Sequence, residues 1–166
     1  MDRDELRAIQ KPLKDRYREE PAAAVITLNA EGVLGDEEVS CSVATGRAIV
    51  EAGLHPATGG DTLHACSGDM LLQALVACAG VTLRSVATAR GLDVKGTVRA
   101  EGDLDFRGTL GIDKEVPVGF KDIRLTFDLT SDEAPEAIEE LLATTERYCV
   151  VFQTLVGSPQ VTMARS

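Results

Sequence analysis

SGDMLLQALVACAGVTLRSVA, residues Ser67 to Ala87, decides how this chain must fold. Met70, Leu71, Leu72, Leu75, Val76, Cys78, Ala79, Val81, Leu83 and Val86 leave almost no polar face on a helix. A helix that is apolar all round must be buried inside something. Gln73, Thr82, Arg84 and Ser85 interrupt the run, so a membrane span is not expected. The spacing predicts a helix over Asp69 to Ala89, with Gly91 as C-cap and Arg84 and Arg90 favourable near the negative end of its dipole. A single chain of 166 residues has trouble covering such a helix. Burial against the same helix of a second copy is the simple solution, which predicts a twofold homodimer.

Working outward, the neighbouring segments alternate instead. Val98, Ala100, Gly102, Leu104 and Phe106 form one dry face against Thr97, Arg99, Glu101, Asp103 and Asp105. Ile123, Leu125, Phe127 and Leu129 form another against Asp122, Arg124, Thr126 and Asp128. Both read as strands with one wet and one dry side. Upstream, Ala24 to Leu28 reads as a strand with turns near Glu31-Gly32 and Gly35-Asp36. Val39, Cys41 and Val43 alternate as a half-buried strand, and a short strand over Arg47 to Glu51 follows the Thr45-Gly46 turn. Gly53 to Gly68, rich in Gly, Pro and Thr, reads as a long loop of the kind that often carries function.

At the ends, Leu6, Ile9, Leu13 and Tyr17 predict an amphipathic helix over Asp4 to Glu19 despite Pro12. Downstream, a helix opens at Ser131-Asp132 with Pro135 in its first turn, and its apolar stripe is Ile138, Leu141 and Leu142. A short second helix begins near Cys149 and ends at Gly157-Ser158-Pro159, and Val161 and Met163 suggest a closing strand. Strands in blocks around helices indicate α+β architecture rather than a wound parallel sheet. The expected organisation is an N-terminal helical extension over 1–20 and a single domain over 21–166.

The net charge of -10 argues against a nucleic-acid partner, which needs clustered Lys and Arg, and against an anionic membrane surface. The first twenty residues are charged throughout, with no apolar run like a signal peptide, so a cytoplasmic location is expected. There, four cysteines (Cys41, Cys66, Cys78 and Cys149) are not a structural disulfide framework. No metal site is expected, because no CxxC or Cys/His cluster has ligand spacing and His55 and His64 read as loop residues.

Two readings of Cys78 stand side by side: a small hydrophobe in the core, or a reactive thiol. Burial raises a thiol pKa, so a reactive Cys78 needs a cation or hydrogen-bond donors to hold its thiolate. Cys149, in ERYCVVFQTL, sits where a helix N-terminus would favour a thiolate, the alternative again being core packing. Cys41 reads as core. Cys66 belongs to the loop before the buried helix, where an alternate resolving role is conceivable. Cys78 and Cys149 belong to different elements and meet only if the fold brings them together.

Taken together, SGDMLLQALVACAGVTLRSVA and the later YCVVFQTL resemble the OsmC/Ohr family of hydroperoxide-reducing proteins. The family's LAACxxMTLR-like pattern is matched by Leu75, Ala77, Cys78, Thr82, Leu83 and Arg84, and its CPVSxTL-like pattern by Cys149, Val151, Thr154 and Leu155. The resemblance runs from roughly Glu38 to the C-terminus and leaves the N-terminal helix outside. It implies antiparallel sheets wrapped around central buried helices in an intertwined homodimer. It also implies a thiol peroxidase without metal or organic cofactor. In that scheme Cys78 attacks an organic hydroperoxide and becomes a sulfenic acid, Cys149 resolves it as a disulfide, and an external dithiol reduces the pair. SVATGRAIVEAG resembles the family segment that delivers an arginine to the thiolate, which makes Arg47 the candidate. In the Ohr branch a glutamate pairs with that arginine, but this chain has Gly68 there. Asp69, one residue later, is the candidate replacement, the alternative being a cap for the helix start. Val150 and Phe152 stand where the family often has Pro and Ser.

Two other classes fit the residues. One is a non-enzymatic dimer of the same fold that holds an apolar ligand or a partner protein, with both thiols inert. The other is a redox sensor, in which oxidation alters partner binding without turnover. Reactivity of the thiols in the native protein separates the first from an enzyme, and sustained turnover with a dithiol separates the second.

Overall fold

The computed structural model describes residues 3–34, 41–43, 52–60 and 65–165. Helix α1 (Arg3–Glu19) leads through a short 3-10 turn, Pro21–Ala24, into β1 (Val25–Leu34) and β2 (Cys41–Val43). Strand β3 (Ala52–Gly53), a 3-10 turn at Pro56–Thr58 and β4 (Ala65–Cys66) precede the long helix α2 (Ser67–Arg90). Then come β5 (Lys95–Asp105), a single turn α3 (Phe106–Thr109), β6 (Asp122–Thr130), α4 (Pro135–Tyr148) and α5 (Val150–Gly157). The main sheet has the order β2-β1-β5-β6 with every pair antiparallel, and β3 and β4 form a small parallel pair. The fold is α+β, as the block order of the sequence predicts.

Helix α2 packs across β1 and β5, with α4 and α5 alongside it. Its Leu72, Leu75, Val76, Ala79, Leu83 and Ala87 are buried against Val94, Val98 and Ala100 and against Leu141 of α4. Each fully buried leucine contributes about 2 kcal/mol. The dry face of β6, Ile123 to Leu129, closes over the same core. Helix α2 stops where Gly91 adopts φ 69°, a left-handed cap whose N–H returns to the last turn. By length and composition alone α2 could cross a bilayer, but its apolarity is accounted for on one side by this packing. On the other side Met70, Leu71 and Val81 remain exposed in the single chain.

A second, smaller core joins α1 to the rest. Tyr17, Ala24, Ala57 and Phe106 are buried together, and the Tyr17 hydroxyl donates to the Ala57 carbonyl at 2.6 Å.

Several expectations are corrected. Glu31-Gly32 is not a turn, because β1 runs through to Leu34, and Gly32 pairs with Val43 on one side and Val98 on the other. The loop over Gly53 to Gly68 is broken up by β3, a 3-10 turn and β4, and α2 already begins at Ser67. Asp105 leaves the wet face and is almost fully buried, since β5 ends there and the carboxylate caps α3 and grips Arg107. Phe106 accordingly belongs to α3. Ser131 does not open α4: its hydroxyl donates to the Asp93 carbonyl and accepts the Glu133 N–H, and the helix starts at Pro135. Val161 and Met163 form no strand and are exposed in the single chain. The expected turns at Gly35-Asp36 and Thr45-Gly46 and the strand over Arg47 to Glu51 lie outside the described residues.

Candidate active site

Helix α4 ends at Tyr148 and α5 starts at Val150, with Cys149 capping both. Its backbone is extended (φ -71°, ψ 106°), which breaks the helical run and turns α5. Backbone bonds continue through the elbow, from Cys149 N–H to the Thr145 carbonyl and from Gln153 N–H to the Cys149 carbonyl, each 2.9 Å. The Gln153 side-chain amide donates across it to the Glu146 carbonyl at 2.9 Å. The elbow aims the free N–H groups of the first turn of α5 outward from its N-terminus.

Those groups meet α2 at Cys78. Burial pushes the half-buried Cys78 thiol up, but four donors together overcome it: the Val151 N–H, the Cys149 thiol, the Val150 N–H and the Thr82 hydroxyl. The net effect holds Cys78 below its ordinary value. Thr82 stands one helical turn beyond Cys78 on α2, so its hydroxyl reaches the sulfur along the helix face. Cys149 shifts the other way. Its burial, with the Cys78 sulfur beside it, pushes its thiol up to about 11, against the N–H groups of Phe152 and Val151. The pair is therefore polarised: Cys78 favours the thiolate, and Cys149 keeps its proton and donates it in a hydrogen bond. All four of these described donors are neutral dipoles.

A mostly apolar pocket of about 290 Å³ opens on the Cys149 side of the pair, lined by Cys149, Ala79, Leu125, Phe127, Leu142 and Phe152 among others, while Cys78 is not one of its walls. Leu125 and Phe127 come from the dry side of β6, so the sheet forms its back wall.

The structure brings Cys78 and Cys149 together and leaves the other candidates elsewhere or undescribed. Arg47 and His64 lie outside the described residues. Asp69 precedes Cys78 by nine residues, about two and a half helical turns, and so faces the opposite side of α2. Burial pushes the Asp69 carboxyl up, and nearby His55 only partly opposes this. His55 accepts the Ala57 N–H at Nδ1 and stacks on Phe106 with ring centroids 5.1 Å apart. Cys66 sits just before α2 and packs against the main core. Arg84 donates to the Val94 carbonyl at 3.3 Å. Among the described residues no group of three or more His, Cys, Asp or Glu could hold a metal ion. The sequence reading missed Thr82 as a donor, although its spacing from Cys78 carried the signal. It also missed Gln153, whose contact depends on an elbow that no local pattern announces.

A family model described as OsmC-like protein matches residues 59–164. The crystal structure of an OsmC-like hydroperoxide resistance protein from Jannaschia sp. CCS1 superimposes with a TM-score of 0.50 at 20% identity, covering 86% of this chain and 92% of that one. No curated protein matches the chain. The structural likeness shares the α+β fold, and the family match spans both cysteine-bearing helices. The chain belongs to the OsmC-like family.

Proposed function

We propose that this chain is a thiol peroxidase that reduces organic hydroperoxides with Cys78 as nucleophile and Cys149 as resolving thiol. One observation carries the reading: the Cys78 sulfur sits on the N-terminal N–H groups of α5 and accepts a hydrogen bond from the Cys149 thiol. Family membership and a structural neighbour named a hydroperoxide resistance protein agree with peroxide as the substrate.

In the first step the Cys78 thiolate attacks the distal peroxide oxygen. An S–O bond forms, the O–O bond breaks, and the alkoxide leaves as an alcohol after taking a proton. Cys78 is then a sulfenic acid. The Cys149 sulfur attacks it, forming the S–S bond, and the sulfenic hydroxyl departs as water with the Cys149 proton. An external dithiol attacks the disulfide, returns both cysteines to thiols and leaves as its own disulfide. Keeping Cys149 protonated prevents two adjacent thiolates from repelling each other before peroxide arrives. The apolar pocket favours an organic peroxide over hydrogen peroxide. No step calls for a metal or an organic cofactor.

The functional unit is a homodimer in this proposal. Exposed Met70, Leu71 and Val81 on α2, with Val150, Val161 and Met163, would find cover on a second copy. Arg47 is the proposed cation for the thiolate, and Asp69 serves the start of α2 rather than Arg47.

Mass spectrometry of peroxide-treated protein tests the mechanism. We expect a loss of two hydrogens through a Cys78–Cys149 bond, and Cys149→Ser should stop at the Cys78 sulfenic acid. If Cys149→Ser leaves the oxidised product unchanged, the two-cysteine cycle is wrong. Cys78→Ser should lower peroxide consumption by at least about 10³-fold.

A further inference from the structure

A second, half-open cavity of about 280 Å³ lies next to the Cys149 pocket, with apolar walls from Leu75, Ile123, Leu125, Phe152 and Leu155 and a polar edge at Lys121 and Asp122. Leu125 and Phe152 line both. The order of the remaining walls shows how the two are arranged. Along β6, Phe127 faces the thiol pocket, Leu125 faces both and Ile123 faces the second. Along α5, Cys149 faces the thiol pocket, Phe152 faces both, and Leu155 and Val156 face the second. Helix α5 thus runs back along β6 with the cavities end to end between them. The track is about 13 Å long over Ile123 to Phe127, with Cys149 at one end and the Phe152 ring at its waist. Lys121 and Asp122 stand at the far cavity only.

From this arrangement we propose that Phe152 is a specificity-determining residue: its ring partitions one apolar track and limits the length of alkyl chain that the thiol site accepts. The proposal rests on the peroxidase reading for the identity of the substrate, an alkyl hydroperoxide. The length limit itself rests on the cavities. Each cavity alone is at the lower edge of ligand-pocket size, and the joined pair is well inside that range. With Phe152 in place, a short chain fills the thiol pocket and a longer one meets the ring. Removing the ring opens the second cavity to the same chain.

Two measurements on the reduced full-length protein test this, with Phe152→Ala and Phe152→Leu beside the wild type. Phe152→Leu retains apolar contact and keeps the comparison readable if the alanine variant unfolds. The first measurement is calorimetric binding of n-alkanols of increasing length, which involves no redox chemistry. Wild-type affinity should stop rising at a short chain, and the plateau should move to longer chains in Phe152→Leu and further in Phe152→Ala. The second is the rate of Cys78 oxidation by a short and a long alkyl hydroperoxide, whose long-to-short ratio should rise ~10-fold or more in Phe152→Ala. A plateau that moves while neither peroxide oxidises Cys78 supports the partition and overturns the peroxidase reading. An unmoved plateau in both variants overturns the partition. So does the absence of alkanol binding to all three proteins, the result expected if a second copy of the chain fills the track.

Discussion

The Asp105 corner and the Cys78 site each favour negative charge away from water, and the described donors at the two differ in kind. At the end of β5 the buried Asp105 carboxylate accepts the Arg107 Nε, the guanidinium at 2.6 Å and the Arg107 backbone N–H. A full positive charge holds it, so its carboxyl lies below the ordinary value, led by the Arg107 side-chain hydrogen bonds. At Cys78 the described donors are two peptide N–H groups, a hydroxyl and a thiol, all neutral. The difference follows from what each anion must do. A structural carboxylate keeps its charge for the life of the fold. A nucleophile loses its charge in the reaction, so donors that can also serve the neutral sulfur suit it.

The largest break in this comparison comes from Asp105→Ala. It leaves the Arg107 side chain, which is 22% exposed, without its ion-pair partner and removes the cap of α3, and should lower the urea-unfolding midpoint. An unchanged midpoint would mean that the corner does not depend on its ion pair. Val150→Pro removes a single donor to Cys78 at a helix position that tolerates proline. Losing that bond, worth about 1 kcal/mol, should raise the Cys78 pKa and slow its alkylation at neutral pH by ~5-fold. The rate-against-pH profile should move to higher pH while thermal stability stays nearly constant. An unmoved profile would show that the Val150 N–H does not matter to the thiolate.

The smallest effect is expected on the exposed outer face, where Arg124 is shared by Asp103, Asp122 and Glu101. Hydrogen bonds from Arg124 and then Thr27 depress the Asp103 carboxyl to about 2 from 3.8. A depressed carboxyl stabilises the fold fully above its ordinary value and loses that contribution as the pH falls toward the depressed one. Melting temperature should therefore drop through the window from 3.8 to about 2, and Arg124→Gln should flatten the drop slightly. Added salt should weaken this cluster more than the thiol site, where the described donors are neutral and the sulfurs partly or wholly buried.

Much of this architecture was legible in the residues. Helix α2 and its Gly91 cap follow from a long apolar run ended by a glycine, and β5 and β6 follow from strict alternation. What escaped detection was decided by tertiary partners. Gly32 looks like a turn until strands flank it on both sides. Asp105 looks wet until the strand ends on it and Arg107 supplies a counter-charge. In the site, Cys78 and Cys149 had plausible core readings as well as chemical ones. Their meeting depends on α5 docking end-on to α2, which spacing along the chain does not encode; the family resemblance suggested the pair. That Phe152 faces two cavities at once had no signal at all, since a half-buried aromatic on an apolar helix is ordinary.

Helix α1 has a consequence beyond its own stability. It is fastened by the Tyr17 hydroxyl to the Ala57 carbonyl and by Ile9 lying over Gly59, where an added Cβ would come within 2.3 Å of the Ile9 side chain. Gly59 also holds φ 90°, which suits glycine alone. A methyl group at that one position would pry the helix from its seat while leaving the sulfur chemistry's immediate surroundings untouched. A dye on Lys11, an exposed lysine of that helix, would report the detachment and turn the leading segment into an optical gauge of the ground beneath it.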